Sequence, residues 1–425
     1  MDAPLRVVAL DPNAPSWPDD VDRARALVGA PDNPRLFPPH FLKTTFQKLG
    51  GRVLLYRESD TVLAVAFLFP RAVHPNGVRE FTLRLHWANE ADRGRAAELA
   101  RATEAVLGAD QTAWYDPVAP QHYQCNSLAI VDEIDCGAAS EAEARSIRAL
   151  QQSIWGSEAD FLYPTDIHSL EFEAGTSLIA RVGGVPAAFL FGFHKFGGEP
   201  LPLSWAAEHP AALRIESQLL GVLPQFRGRH LGFLLKRLQA RQAAEQGVSV
   251  INWTVDPLQF ANAVLNFSWL KAVAFDFYPD YYPFRNDLSR VAASRLGITW
   301  LVDSARVRQG LVQGPGPIPT LDDDPGIPRV HFGAADRGAL AHAERVAIQV
   351  PTNWTTLQQH EPEAALTLRH ATDALFGEWL GFEPGKLILT GVATDADRKY
   401  LLAERATPAL LSDLGARTRV PADAP

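Results

Sequence analysis

The chain has 425 residues, 47% of them hydrophobic and 21% charged, with a formal net charge of −9. That is enough chain for two or three domains, each with its own core, in an ordinary soluble composition. The arginines are scattered rather than bunched, so no nucleic-acid surface is expected, and no apolar run is long enough to span a membrane.

Two cysteines, Cys125 and Cys136, build no disulfide framework in a chain of this length, and "MDAPLRVVALDP" at the N-terminus has no basic region ahead of an apolar run. Both observations favour the cytoplasm. No zinc-spaced Cys/His cluster, HExxH or P-loop sequence occurs, so no metal is expected.

In chain order, the first strong pattern is "VLLYRESDTVLAVAFLFP" (Val53–Pro70), two strands meeting at a polar turn. A further strand leads to the turn Arg93-Gly94-Arg95, a helix, and a strand ending in "WYDP" (Trp114–Pro117). The same series then recurs. "LIARVGGVPAAFLFGF" (Leu178–Phe193) is a hairpin turning at Gly183-Gly184. The strand-like "LRIESQLLGVL" (Leu213–Leu223) stops at Pro224 and enters the turn Arg227-Gly228-Arg229. Leu231, Leu234, Leu235 and Leu238 then fall at helical spacing, Gly247 marks the helix end, and a strand closes in "WTVDP" (Trp253–Pro257). The offset between the two series grows from 122 residues (Ala66 to Ala188) through 134 (Arg93 to Arg227) to 139 (Trp114 to Trp253), as insertions in loops would produce. A tandem duplication of mixed α/β units is therefore expected. A Pro/Gly/Asp stretch, Gly314–Pro328, precedes a last region with an amphipathic helix (Ala365, Leu368, Leu375 and Trp379 on one stripe) and the strand Lys386–Val392. This tail either stands alone or completes the second sheet.

A strand–turn–helix presents free N–H groups and the positive end of the helix dipole, an anion site. Gly228 admits close approach, Arg227 and Arg229 add positive charge, and the expected ligand is a phosphate or pyrophosphate.

Gln225-Phe226-Arg227-Gly228-Arg229-His230 resembles the Q/R-x-x-G-x-G/A signature of the GCN5-related N-acetyltransferase (GNAT) superfamily, where this turn binds the pyrophosphate of acyl-coenzyme A. More narrowly, "LLGVLPQFRGRHLGFLLK", "INWTVDPLQFANAVLNFSWLKAVA" and "YPDYY" are similar to a bacterial branch of predicted GNAT acyltransferases, over a span from Ala149 to Asp303. The resemblance implies a mixed-sheet α/β fold of tandem GNAT-like domains with a C-terminal α/β extension. The corresponding boundaries are a degenerate domain at 1–138, an acyl-CoA-binding domain at 139–312, a linker at 313–328 and an extension at 329–425.

It also implies transfer of an acyl group from acetyl-CoA or another acyl-CoA, succinyl-CoA included, to a small amine or amino acid. A backbone N–H among Leu220, Gly221 and Val222 serves the thioester carbonyl. Gln225, Arg227, Gly228, Arg229, His230, Leu231 and Gly232 take the pyrophosphate, and Asn262 lies near the cofactor's arm. Glu216, in the same strand, is the candidate general base. The family's acid is often a tyrosine in the last helix, a position held here by Phe267, so either Tyr281 or Tyr282 from the following strand substitutes for it or solvent protonates the thiolate unaided. Asp256 reads as a helix cap.

His230 departs from the signature, because Gly or Ala is usual there. In the first series the turn lacks the initial Gln, Glu90 and Asp92 oppose an anion, and Pro117 and Pro120 interrupt the place where the last helix begins. These departures leave open an alternative: a catalytically inactive GNAT scaffold acting as a CoA-binding sensor or interaction module.

Overall fold

The hairpins read from the sequence form as expected in a computed structural model, which describes residues 4–156, 158–282, 290–321, 324, 326–331 and 337–417. The chain divides into two compact units: Met1–Gly198 with Ala212–Leu231, and Glu199–Ala211 with Gly232–Pro425. Asp322, Asp323 and Pro325 of the expected linker lie outside the described residues.

The first unit holds two sheets. One orders β1 (Leu5–Ala9), β2 (Arg52–Glu58), β3 (Thr61–Val73), β4 (Arg79–Trp87) and β5 (Gln111–Tyr115) in sequence. Its first three pairings are antiparallel. The β4–β5 pairing is parallel, as the intervening Ala96–Leu107 helix requires. In the other, β6 (Ala129–Val131), β7 (Ile134–Gly137), β8 (Gly175–Val182), β9 (Val185–Phe196) and β10 (Leu213–Val222) form an antiparallel meander. Both AFLF stretches sit in long, buried middle strands, β3 and β9. Aromatic rings from the two sheets share one core, with Phe69 and Phe193 stacked at 5.8 Å and Phe41, from the π-helical segment Phe41–Thr45, 4.7 Å from Phe193.

The second unit is built on one sheet ordered β14 (Arg329–Val330), β15 (Arg345–Val350), β17 (Arg398–Arg405), β16 (Leu387–Asp395), β12 (Val273–Tyr282), β13 (Ala293–Leu301) and β11 (Val250–Val255). Ala274 of β12 pairs with Leu389 of β16, so the tail completes this sheet rather than standing apart. The fold is mixed α/β. Trp205, from the short Glu199–Ala211 segment, joins a core with Val250, Phe275, Leu301 and Ile388. No helix among the described residues is long and apolar enough to cross a membrane.

Candidate functional site

Strand β10 carries the site's first features. Its register against β9 slips between Glu216, opposite Phe193, and Leu219, opposite Phe191: three steps on one strand against two on the other, which is a β-bulge. Beyond the bulge Leu220, Gly221 and Val222 lie opposite Leu190, Phe189 and Ala188. Leu223 N donates to Ala187 O at 3.0 Å. By the alternation of an antiparallel ladder, the Gly221 N–H also points into β9, whereas those of Leu220 and Val222 point away from it. Of the three amides expected to serve a carbonyl, the register thus turns two outward from the hairpin. Gly221 is fixed by packing instead, since a Cβ there would come within 2.6 Å of the Phe189 ring.

Glu216 is buried and accepts a hydrogen bond from Lys195 Nζ at 3.1 Å, an ion pair with both side chains largely withdrawn from water. Two residues on, Gln218 Nε2 donates to the Tyr163 hydroxyl at 3.0 Å.

After β10 the chain makes one 3₁₀ turn, Pro224–Phe226, and an extended residue, Arg227 (φ −64°, ψ 157°). Gly228 then takes φ +81° and His230 φ +57°, and the helix Leu231–Glu245 begins. Both are left-handed conformations, which glycine adopts freely and which cost other residues ~1–2 kcal/mol. The sixth signature position thus has a backbone geometry suited to glycine, and a histidine occupies it. Gln225, Arg227, Gly228, Arg229 and His230 are all exposed, and nothing lies within 4 Å of the place where a Gly228 Cβ would stand. Arg229 does not present a free charge: its Nη1 is 2.5 Å from Glu133 Oε1. Leu231 is buried as the helix's first anchor.

The remaining expected residues belong to the second unit. Gly232 continues the helix, and Asn262 is exposed in the Phe260–Ala263 turn. Phe267 is 1% exposed in the π-helical Val264–Trp269 stretch and serves as a packing residue. Tyr281 is half-buried within a ring cluster, 5.5 Å from Tyr278 and 4.8 Å from Tyr282.

Asp256 does more than cap. Its Oδ1 accepts from Leu258 N (2.9 Å), while Oδ2 accepts from Arg369 Nη2 (2.6 Å) and Trp354 Nε1 (3.1 Å). Arg369, from the tail helix Pro362–Trp379, is 1% exposed and lies 4.8 Å over the Trp354 ring.

The sequence reading missed two further buried cations. Lys236 sits 3.5 Å above the Trp253 ring, and Arg84 forms a buried ion pair with Asp166, which also accepts from the Tyr115 hydroxyl at 2.8 Å. A charged residue inside an apolar stripe is the signal that was available for each.

The turn of the first series is occupied by its own salt bridges. Glu90–Arg95 is a 3₁₀ helix in which Arg93 pairs with Asp116, and Arg95 with Glu58 and Glu98. Gly94 has no positive φ, and residues 116–128 form no helix.

No protein family model matches the chain, and no curated protein matches it. Several solved structures do. A putative acetyltransferase, yncA from Salmonella typhimurium, solved with its cofactor acetyl-CoA, is 16% identical over 40% of this chain and 95% of that one, with a TM-score of 0.31. The ribosomal-protein-S18-alanine N-acetyltransferase from Escherichia coli is 12% identical over 40% and 96%, with a TM-score of 0.30. A GNAT-family acetyltransferase from Streptococcus pneumoniae is 13% identical over 40% and 99%, with a TM-score of 0.31.

Proposed function

We propose that the protein is an acyl-CoA-dependent N-acyltransferase acting on a small amine or amino acid. The observation that carries this reading is the continuity of β10. A buried carboxylate, a bulge, outward-turned amides and an exposed left-handed glycine turn follow one another within sixteen residues, from Glu216 to Leu231, and end on a helix N-terminus.

The turn suits a phosphate-bearing cofactor. The space at Gly228 is open, the segment is exposed, and the N–H groups opening a fifteen-residue helix favour an anion. Gln225, Arg227, Gly228, His230, Leu231 and Gly232 would hold the pyrophosphate of an acyl-CoA, with Arg229 shared with Glu133. When bound, acetyl-CoA or another acyl-CoA such as succinyl-CoA supplies the acyl group as a thioester.

The protein's own groups then have separable tasks. Leu220 and Val222 offer backbone N–H groups to the carbonyl oxygen, stabilising charge that develops there. Glu216 takes the proton from the acceptor ammonium, and Lys195 holds its carboxylate in position. Tyr281 returns a proton to the departing thiolate, and Asn262 steadies the cofactor's arm. By descent, residues 1–138 are an eroded GNAT-like domain, 139–312 the acyl-CoA-binding domain, and 329–425, joined through 313–328, an extension of the second sheet.

The buried Phe267, where the family often has its acid, favours a second reading: an inactive GNAT scaffold that binds CoA as a sensor or interaction module. Calorimetric titration with CoA, acetyl-CoA and succinyl-CoA, followed by acceptor turnover, separates the two. Binding at one site per chain with turnover of an amine supports the enzyme. Binding without turnover of any amine or amino acid supports the scaffold, and no binding at all removes both.

A further inference from the structure

The second unit holds a cavity of about 380 Å³ that the acyl-transfer reading does not use. Its volume falls in the small-molecule range. Phe267, Val392 and Leu402 give it apolar walls, and Lys271, Arg306 and Glu404 give it charge.

The balance of those charges is the informative feature. Arg306 donates from Nη2 to Thr390 O at 2.5 Å and from Nε to Lys271 O at 3.3 Å, so backbone carbonyls rather than a carboxylate hold its guanidinium. The half-buried Lys271 ammonium has no carboxylate within ion-pair distance among the described residues. Arg345, also on the wall, is answered by Asp324 at 3.0 Å. Glu404 is the one wall carboxylate among the described residues, and it already accepts from the Thr390 hydroxyl. Asp413, off the wall, also acts on Arg306 together with Glu404, whereas Lys271 has only the Arg306 cation beside it and stands as the wall's unanswered positive charge. Burial, and then the Arg306 charge, lowers the Lys271 pKa from its usual range, the direction that a bound anion would reverse. Gln309 and Gln313 add hydrogen-bonding groups at the rim.

We propose that this cavity binds a small organic anion through a carboxylate or phosphate group held between Lys271 and Arg306. Glu404 disfavours polyanions and offers an acceptor to a hydroxyl or ammonium elsewhere on the same ligand. The cavity's residues are separate from those of the Gly228 turn, so this site stands or falls apart from the acyl-CoA reading.

The test uses the full-length Gly228→Glu variant, in which the turn is blocked to phosphate. Inorganic phosphate and butyrate are titrated calorimetrically at constant ionic strength. One saturable site per chain is expected for at least one probe. Binding should weaken at least tenfold on adding Lys271→Asn, a substitution suited to the φ of +56° at that position. It should be unchanged by Arg241→Gln, which removes an exposed charge paired with Glu245 elsewhere on the unit. Phosphate alone points to a phosphorylated ligand and butyrate alone to a carboxylic acid. If Lys271→Asn fails to fold, Gln309→Glu adds a repelling charge at the rim and should weaken binding in the same way. No saturable binding of either probe, or full affinity in the folded Lys271 or Gln309 variant, overturns the proposal.

Discussion

Lys195 Nζ and Glu216 Oε2 are 3.1 Å apart, the cation on β9 and the carboxylate two residues along the ladder on β10. Such diagonal neighbours on one sheet face hold each other in place. Here they fix an acid next to the bulge that turns the Leu220 and Val222 amides away from the hairpin. Glu216→Gln keeps the shape and removes the proposed base. Turnover should fall at least tenfold with CoA affinity unchanged within about twofold, and an unaltered rate would eliminate Glu216 as the base. Lys195→Met removes the cation that holds the carboxylate in position, so turnover should fall with CoA affinity unchanged within about twofold. A purely structural pair would lower stability and leave turnover of the folded protein in place.

The Gly228 turn makes the sharpest binding prediction. A glutamate there must adopt φ +81° and would project negative charge into the space beside the helix N-terminus. Because nothing within 4 Å is displaced, the fold should survive while calorimetric CoA binding is lost. Normal binding by this variant would mean that the cofactor sits elsewhere.

His230 occupies a left-handed position with an exposed side chain. Replacing it with glycine removes a conformational cost of ~1–2 kcal/mol, partly offset by the greater freedom of an unfolded glycine. His230→Gly should therefore raise the urea midpoint modestly and leave CoA affinity within about twofold of the parent. A tenfold loss of affinity would instead identify the imidazole as a phosphate donor.

These features were legible in the sequence to different degrees. The Gly183-Gly184 hairpin, the strand end at Pro224 and the helix start after His230 follow from local rules, because turn conformation and helical spacing are decided by residues close together. Buried charge is decided by partners far away. Arg369 falls on the buried stripe of the Pro362–Trp379 helix with Ala365, Thr372, Leu375 and Phe376. A stripe counted from apolar letters alone, through Leu368 and Trp379, is rotated from the true one. Its partner Asp256 lies 113 residues earlier, and the partner of Arg84 is 82 residues later. The first turn shows the same limit. Glu90 and Asp92 signalled an eroded anion site, but Asp116, Glu58 and Glu98 are what neutralise its arginines.

The Asp256–Arg369 pair ties the tail helix to the loop after β11 and should be costly to break from one side. Asp256→Ala leaves a buried guanidinium with no carboxylate, for which about 3–5 kcal/mol is the usual loss. Replacing both, Asp256→Leu with Arg369→Met, removes the buried Arg369 charge and should recover the part of that stability not owed to Arg295, which also lies 3.5 Å from Asp256, in chemical denaturation. If the double variant is as unstable as the single one, the pair's hydrogen bonds to Leu258 and Trp354 matter more than its charge.

Acid should unfold the first unit by way of its buried imidazoles. His168 is 6% exposed, with Nδ1 2.6 Å from Ser177 Oγ and Nε2 buried without a partner. Burial lowers its pKa from 6.5 to about 4, and burial followed by the Arg25 charge does the same to His40. A folded-state pKa below the unfolded one means that the unfolded chain binds more protons as the pH falls from 6.5 towards 4. Stability should therefore be full above pH 6.5 and be lost through that window. His168→Phe keeps an aromatic ring in place and removes one such proton. Urea midpoints measured from pH 7 to pH 4 should consequently fall less steeply for the variant than for the parent. Parallel decline in the two proteins would place the acid sensitivity in groups other than His168.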